Sequence, residues 1–192
     1  MRQRTACVFV FDGFADWEPA SALAELRRTF GFATRALALG TEPVVSMGGL
    51  RVVPDGTLAD LESSGADILI LPGGDSWMAG ERPEITAAVR AMDASGRPVA
   101  AICAATLALA HAGLLDDRLH TSNGAGFIQK YVAGYRGAGF YRTASTVTDR
   151  GVITASGVAP IAFAAAIFRW AAPEREQDIA GYEALYARGF IE

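Results

Sequence analysis

Apolar runs alternate with amphipathic stretches along most of the chain. Residues 5–11 (TACVFVF) are continuously apolar and rich in Val and Phe, a pattern typical of a strand that is covered on both faces. The same interpretation applies to residues 67–71 (DILIL), which Pro72-Gly73-Gly74 closes, and to Val99–Ile102. Residues 33–39 are predicted as a further strand. The pattern therefore predicts four strands within the first 102 residues of the chain.

Helical patterns occupy most of the segments between and after these strands. In residues 17–29, Leu23, Leu26 and Phe30 recur near helical spacing, and Asp16 is a candidate N-cap. Further helices are predicted at 83–95, starting near Pro83, at 104–112, at 158–170 and at 174–187. Because residues 158–170 are almost wholly apolar, we expect that helix to be buried.

Two turn signals predict antiparallel hairpins. Gly48-Gly49 lies between Val44–Val45 and Arg51–Val53, and Asp149-Arg150-Gly151 lies between segments 144–148 and 151–155. The remaining alternation of strands and helices predicts one α/β domain over residues 1–192, with a mainly parallel sheet and helices on both faces. In such sheets the functional site lies beyond the carboxyl ends of the strands.

Charge and composition narrow the class of protein. The chain of 192 residues is 51% hydrophobic and has a formal net charge of −4. No basic stretch is present that would follow a phosphate backbone, so we expect no nucleic-acid partner. The longest apolar run, Val158–Phe168, is shorter than the roughly 20 residues that a membrane span needs, and Ala6–Phe11 is shorter than a signal-peptide core. These features predict a cytoplasmic protein without membrane contact, and Cys7 and Cys103 do not suggest a disulfide framework.

Cys103 is the strongest candidate for chemistry. It follows the strand Val99–Ile102 and directly precedes a helix, and its neighbours Ala101, Ala104 and Ala105 are small enough for a strained corner. A helix N-terminus lowers the pKa of a thiol, so this position predicts a reactive thiolate. The alternative is a buried cysteine with a structural role only.

Two other strand ends point to the same edge of the sheet. Glu18 lies just beyond the first strand and is a candidate to share a proton with the sulfur, although an acidic residue there is also common as a helix cap. Gly73-Gly74 allows close approach of backbone to a ligand. The N–H groups of Gly74 and Ala104 are therefore candidate oxyanion donors, and an ordinary turn is the alternative.

The chain contains two histidines. His111 lies inside a predicted helix, where packing or surface exposure is expected. His120, in Arg118–Asn123, is a candidate base or orienting partner for Cys103, and a structural histidine is the alternative. The dispersed cysteines and histidines do not suggest a zinc site, and nucleotide-binding fingerprints are absent from the sequence, so we expect no metal and no cofactor.

Several of these segments together resemble the DJ-1/PfpI family of the class I glutamine amidotransferase-like superfamily. The resemblance covers essentially the whole chain and is nearest to the bacterial branch often named intracellular proteases or amidases. Its carriers are Gly13–Glu18, Asp67–Gly74 (DILILPGG), Val99–Ala105, His120–Asn123 and Thr154–Gly157.

The resemblance implies a flavodoxin-like three-layer α/β sandwich and a homodimer or larger oligomer. It implies that Cys103 is the nucleophile, that Glu18 is its hydrogen-bonding acid, and that Gly74 and Ala104 supply backbone donors; His120 matches the family histidine loosely. Protease-like members tend to carry a histidine directly after the cysteine, where this chain has Ala104, and a late His-x-Glu pair is missing. Peptidase and glutaminase activities are therefore not the expected ones.

Three functions follow from this resemblance. The leading hypothesis is a cysteine-dependent enzyme that acts on a small amide, isonitrile or reactive aldehyde, with Trp17 and Trp77 as candidate walls of the pocket. The second is a redox sensor in which Cys103 is oxidised without turnover. A ligand-binding regulatory module ranks last.

Overall fold

The computed structural model describes residues 2–191. Within that range the chain forms a seven-stranded sheet, a separate two-stranded hairpin and six α-helices. The strands are β1 (Thr5–Phe9), β2 (Ala33–Ala38), β3 (Val44–Val45), β4 (Arg51–Val52), β5 (Gly56–Thr57), β6 (Ala66–Leu71), β7 (Val99–Ile102), β8 (Thr146–Asp149) and β9 (Val152–Ala155). The helices are α1 (Trp17–Arg28), α2 (Pro83–Ala94), α3 (Thr106–His111), α4 (Phe127–Tyr131), α5 (Pro160–Ala171) and α6 (Glu176–Arg188).

The large sheet has the order β5-β2-β1-β6-β7-β9-β8, and only the β8–β9 pair is antiparallel. β1 lies inside this sheet, between β2 and β6, and all five of its residues are buried. This burial explains the continuous apolar run, because a strand covered on both faces has no solvent-facing positions. The mainly parallel sheet predicted from the sequence is confirmed.

Helices cover the sheet in two groups. α1 and α6 pack against α5, whereas α2 and α4 pack against α3. α5 begins at Pro160 rather than at the predicted residue 158, since proline suits the first position of a helix. The arrangement is the flavodoxin-like three-layer sandwich that the family resemblance implied. No helix within residues 2–191 is both long and apolar enough to cross a membrane.

Local differences from the prediction have clear causes. The predicted helix 104–112 is divided into a 3₁₀ turn, Cys103–Ala105, and α3. Asp16 occupies the N-cap position of α1 without capping it, because its carboxylate accepts a hydrogen bond from the Ser46 hydroxyl at 2.8 Å instead. The two predicted hairpins are present as β3–β4 and β8–β9. The short elements β5 and α4 were not predicted.

Four adjacent parallel strands, β1, β6, β7 and β9, end at the same edge of the sheet. The segments that follow them bring four residues together there: Glu18, Gly73, Cys103 and Gly157. The sheet topology therefore assembles one site from distant parts of the chain.

Candidate active site

Cys103 lies in a sharp turn between β7 and α3. Its φ is 61°, a left-handed conformation that costs a non-glycine residue about 1–2 kcal/mol. The buried residues Ala101, Ala104 and Ala105 surround this turn, and the Thr106 hydroxyl donates a hydrogen bond to the Cys103 carbonyl at 2.8 Å. The strained corner expected from the small neighbours is present, and it leaves the thiol partly accessible.

Glu18 contacts the Cys103 thiol from the first turn of α1. Its side chain is 1% exposed, and Gly73 N–H donates a hydrogen bond to Oε2 at 2.5 Å. Burial raises the pKa of Glu18, and its hydrogen bonds to Gly73 and Cys103 only partly oppose that effect. A carboxylate with a raised pKa is a stronger base, so Glu18 in this position is suited to accept a proton from the sulfur.

The net shift of the thiol pKa differs from the expectation. Burial raises the pKa of Cys103, while the Asn123 side chain and the Ala104 N–H lower it and the nearby Glu18 raises it. The prediction of a net lowering by the helix N-terminus was wrong, because desolvation outweighs the two donors. Cys103 and Glu18 therefore form a coupled pair, because Glu18 raises the pKa of the thiol and the hydrogen bond with Cys103 lowers the pKa of Glu18.

Two glycines bring bare backbone against the thiol. A Cβ added at Gly73 would lie 2.7 Å from Cys103 Cβ and 2.7 Å from Glu18 Oε2. A Cβ added at Gly157 would lie 2.7 Å from Cys103 Sγ. Glycine is needed at both positions for the close approach, and the space beside the sulfur is correspondingly narrow.

Asn123 also contacts the sulfur. Its side-chain Nδ2 donates a hydrogen bond to Cys103 Sγ at 3.2 Å, and its Oδ1 accepts one from Gly157 N–H at 3.0 Å. The sequence interpretation noted Asn123 only as part of the segment that carries the family resemblance. Its place in that segment, and its being the single asparagine of the chain, were the available signals.

His120 is directed away from the thiol. The ring is fully buried, with Nδ1 against the Arg118 carbonyl at 2.7 Å and Nε2 against the Tyr135 hydroxyl at 2.5 Å. Burial lowers the pKa of His120, which favours the neutral ring. Since both ring nitrogens are engaged elsewhere, the structure does not bring His120 to Cys103, and the alternative of a structural histidine describes its position.

The two candidate oxyanion donors differ in what surrounds them. The Ala104 N–H forms a hydrogen bond with the Cys103 side chain, so it already faces the sulfur. Gly74 follows the residue whose N–H is bound to Glu18, and a Cβ at Gly74 would lie 2.8 Å from the Gly13 carbonyl oxygen. The role of both groups toward a substrate oxygen stays a prediction.

The two tryptophans are in different environments. Trp17, the first residue of α1, is 49% exposed next to Glu18. Trp77 is 2% exposed, packs on Phe9 and Phe11, and donates from Nε1 to the Pro72 carbonyl at 2.9 Å. Trp77 is therefore a core residue that supports the segment before Gly73, and only Trp17 has the exposure that a pocket wall requires.

A family model matches the part of the chain that forms this site. The model of the DJ-1/PfpI family matches residues 4–169, which includes each residue of this site. The chain belongs to the DJ-1/PfpI family.

Other members of the DJ-1/PfpI family resemble the chain over most of its length. It is 34% identical over 176 residues to uncharacterized protease YoaZ of Bacillus subtilis, a match covering 88% of this chain and 84% of YoaZ. The crystal structure of the DJ-1 superfamily protein Atu0886 from Agrobacterium tumefaciens superposes with a TM-score of 0.86 at 36% identity, covering 96% of this chain and all of that one.

A shorter match involves a DJ-1/PfpI protein whose name includes an activity. Glutathione-independent glyoxalase DJR-1.2 of Caenorhabditis elegans is 40% identical over 81 residues, which are 41% of this chain and 43% of DJR-1.2. The names of these relatives thus include both protease and glyoxalase.

Proposed function

We propose that this protein is an enzyme that uses Cys103 as a nucleophile on a small electrophile, and that a reactive aldehyde is the first substrate class to test. The observation that carries the proposal is the contact between the Cys103 thiol and the buried Glu18 carboxyl at a strained turn. Strained backbone at a partly accessible nucleophile is common at active sites, where the surrounding structure maintains it.

The groups near Cys103 that can donate or accept a proton favour an aldehyde substrate over an amide. Among residues 2–191, Glu18 is the one acid–base side chain in contact with the sulfur, since His120 is engaged elsewhere. Amide hydrolysis needs a proton for the leaving amine, whereas addition to an aldehyde has no leaving group and returns the thiol proton to the product oxygen. The similarity to DJR-1.2, named a glutathione-independent glyoxalase, supports the same choice.

The chemistry balances with the groups present. Glu18 takes the thiol proton, the Cys103 thiolate forms a C–S bond with the aldehyde carbon, and the carbonyl electron pair moves to oxygen. The N–H groups of Ala104 and Gly74 stabilise that oxyanion until Glu18 returns the proton to it. With a 2-oxoaldehyde, Glu18 then moves one proton from the first carbon to the second, while the hydroxyl proton on the first oxygen passes to the second oxygen; this gives a thioester with a neighbouring hydroxyl group. Water finally releases a 2-hydroxy acid and restores the thiol.

Turnover of a panel of methylglyoxal, glyoxal, an isonitrile and simple amides tests this proposal. We expect wild type and Cys7→Ser to turn over an aldehyde, and Cys103→Ser to lose at least about a thousandfold of that activity. If turnover survives in Cys103→Ser, Cys103 is not the nucleophile. Turnover of the isonitrile or an amide alone, lost in Cys103→Ser, would keep the nucleophile and replace the substrate class.

A redox sensor is the second candidate. The observation that favours it is the partial exposure of Cys103 beside a carboxyl whose raised pKa provides an O–H donor for an oxidised sulfur. Stoichiometric oxidation of Cys103 by peroxide, with no turnover of any panel member, would place this function first.

We also infer that the protein acts in the cytoplasm, and that it forms a homodimer, as the family resemblance implies. The β3–β4 hairpin supports the second inference, because it exposes Val45, Met47 and Leu50 outside the main sheet. The hairpin is joined to the loop before Glu18, since Gly13 N–H donates to the Val45 carbonyl at 2.8 Å. Light scattering should give a dimer for wild type and a monomer for Leu50→Asp, and a wild-type monomer would overturn the dimer.

A further inference from the structure

The Asn123 side chain joins two backbone segments to the reactive sulfur. Its Oδ1 accepts from Gly157 N–H at 3.0 Å, and its Nδ2 donates to Cys103 Sγ at 3.2 Å. Since a backbone N–H can only donate, the atom that faces Gly157 has to be the amide oxygen. The carboxamide is planar, so this bond also fixes the direction of the N–H donor toward the sulfur.

The backbone that precedes Asn123 is held firmly. Thr121 and Ser122 are buried; Thr121 N–H donates to the Thr154 hydroxyl at 2.9 Å. The Ser122 hydroxyl lies 2.7 Å from the Thr106 hydroxyl, which itself binds the Cys103 carbonyl. Thr106, at the start of α3, thus helps to position both Cys103 and, through Ser122, the backbone next to Asn123. Such preorganisation matters because the Asn123 side chain itself is exposed to solvent.

We propose that Asn123 is a catalytic residue of this site, whose amide N–H stabilises the Cys103 thiolate while Gly157 holds the amide in place. The inference rests on the proposed use of Cys103 as a nucleophile. It assigns the sulfur two kinds of partner: Glu18, which exchanges a proton with it, and Asn123, which cannot. An amide donor keeps its hydrogen over the whole working pH range, so its contribution does not vanish as a histidine's would.

This division of roles predicts the pH profile of the thiol. A histidine beside the sulfur would add its own titration near neutral pH, whereas Asn123 adds none. We therefore expect the reactivity of Cys103 to follow the two ionisations of the coupled Cys103–Glu18 pair, with no third ionisation from a neighbouring side chain.

Asparagine-to-aspartate exchange separates this role from a structural one. In Asn123→Asp one carboxylate oxygen still accepts from Gly157 N–H, while the other presents a negative charge to the sulfur. In Asn123→Ala both contacts are lost. Gln129→Ala, which removes an exposed amide from the neighbouring helix α4, is the matched control.

The measurement is the rate of Cys103 alkylation by iodoacetamide against pH, followed by peptide mass spectrometry so that Cys7 is scored separately. At pH 7 we expect Asn123→Ala to react about tenfold more slowly than wild type, with its midpoint moved to higher pH. Asn123→Asp should be slower still, and Gln129→Ala should match wild type.

Each outcome bears on the proposal. Equal rates for wild type and Asn123→Asp would show that only the bond to Gly157 matters, and equal rates for wild type and Asn123→Ala would show that neither contact does; either result overturns the proposal. Alkylation needs no substrate, so its outcome is independent of the aldehyde assay. If the alkylation midpoint shifts in Asn123→Ala but no panel member is turned over, the role of Asn123 stands and the proposed enzyme activity fails. If a panel member is turned over but the midpoint does not shift, the enzyme activity stands and the role of Asn123 fails.

Discussion

Gly73 N–H donates to Glu18 Oε2 at 2.5 Å, and this bond holds a buried carboxyl against the Cys103 thiol. The bond joins the end of β6 to the first turn of α1, so the position of the acid depends on the backbone of a strand rather than on a flexible side chain. Burial of the carboxyl without a cation beside it raises its pKa and makes its charged form costly. The charged form of the buried Glu18 therefore lowers the free energy of unfolding, while its raised pKa suits it to exchange a proton.

Replacing Glu18 by glutamine should stabilise the fold and abolish proton transfer. The neutral amide still offers an oxygen to Gly73 N–H and has no charge to desolvate. At pH 8 we expect the free energy of unfolding to rise by about 1 kcal/mol and turnover to fall at least about a hundredfold. Thermal unfolding and steady-state kinetics measure the two effects.

The pH dependence of that gain has a defined sign. Because the folded-state pKa of Glu18 is raised, wild type is favoured at low pH and loses this stability as pH rises through the folded pKa. The advantage of Glu18→Gln should therefore disappear near pH 4, which is about the ordinary pKa of glutamate. The exposed Glu42→Gln serves as the control, and a Glu18→Gln protein less stable than wild type at pH 8 would contradict the argument.

Gly157→Ala should block the nucleophile. The added methyl would lie 2.7 Å from Cys103 Sγ and 3.3 Å from Asn123 Oδ1, so the thiol has to move. We expect alkylation of Cys103 to slow at least tenfold and the fold to lose about 1–3 kcal/mol. Gly139→Ala is the matched control, since a Cβ there meets nothing within 4 Å. Wild-type alkylation in Gly157→Ala would refute the narrow geometry beside the sulfur.

The strained turn can be measured by comparing glycine with alanine at position 103. Glycine adopts the left-handed conformation without strain, so Cys103→Gly should be about 1 kcal/mol more stable than Cys103→Ala. Cys7, in the middle of the buried strand β1, provides the opposite control, and there the alanine variant should be the more stable one. Chemical denaturation gives all four values. If the alanine variant is the more stable one at position 103 as well as at position 7, the backbone at Cys103 is not strained.

Tyr135→Phe tests the assignment of His120. Removing the hydroxyl leaves the buried Nε2 of His120 without its partner, which should cost about 1–3 kcal/mol of unfolding free energy. Because His120 does not contact Cys103, the alkylation rate of the thiol at pH 7 should stay within about twofold of wild type in this variant. A large loss of thiol reactivity with unchanged stability would instead connect His120 to the catalytic chemistry.

The sequence predicted much of the frame and the centre of the site. The apolar runs of β1, β6 and β7 identify central strands because such strands have no exposed face, and parallel pairing places their carboxyl ends together. Once β6 and β7 are recognised, Gly73 and Cys103 follow directly as the residues beyond their ends. Glu18 follows in the same way from the loop after β1.

The local sequence pattern could not predict which residue after α3 contacts the Cys103 sulfur. His120 and Asn123 are three residues apart, and long-range contacts decide which of them reaches Cys103. His120 pairs with Tyr135, whereas Asn123 is oriented by Gly157. The direction of the thiol pKa was missed for a related reason, since desolvation depends on how closely Gly73 and Gly157 approach, which no local sequence feature reports.

Because the site is assembled from four strand ends, the reactivity of Cys103 reports whether the whole sheet has folded. Glu18 and Gly157 are 139 residues apart, so a fragment that lacks either end of this span lacks part of the environment of the sulfur. A chain still emerging from the ribosome has β1, β6 and β7 before β9 exists, and until the segment after β9 docks, its thiol lacks Gly157 and the amide orientation that Gly157 imposes. Chains in which β9 has not yet paired therefore lack part of the environment of the thiol, and pulse labelling of Cys103 would report how many chains have completed the sheet.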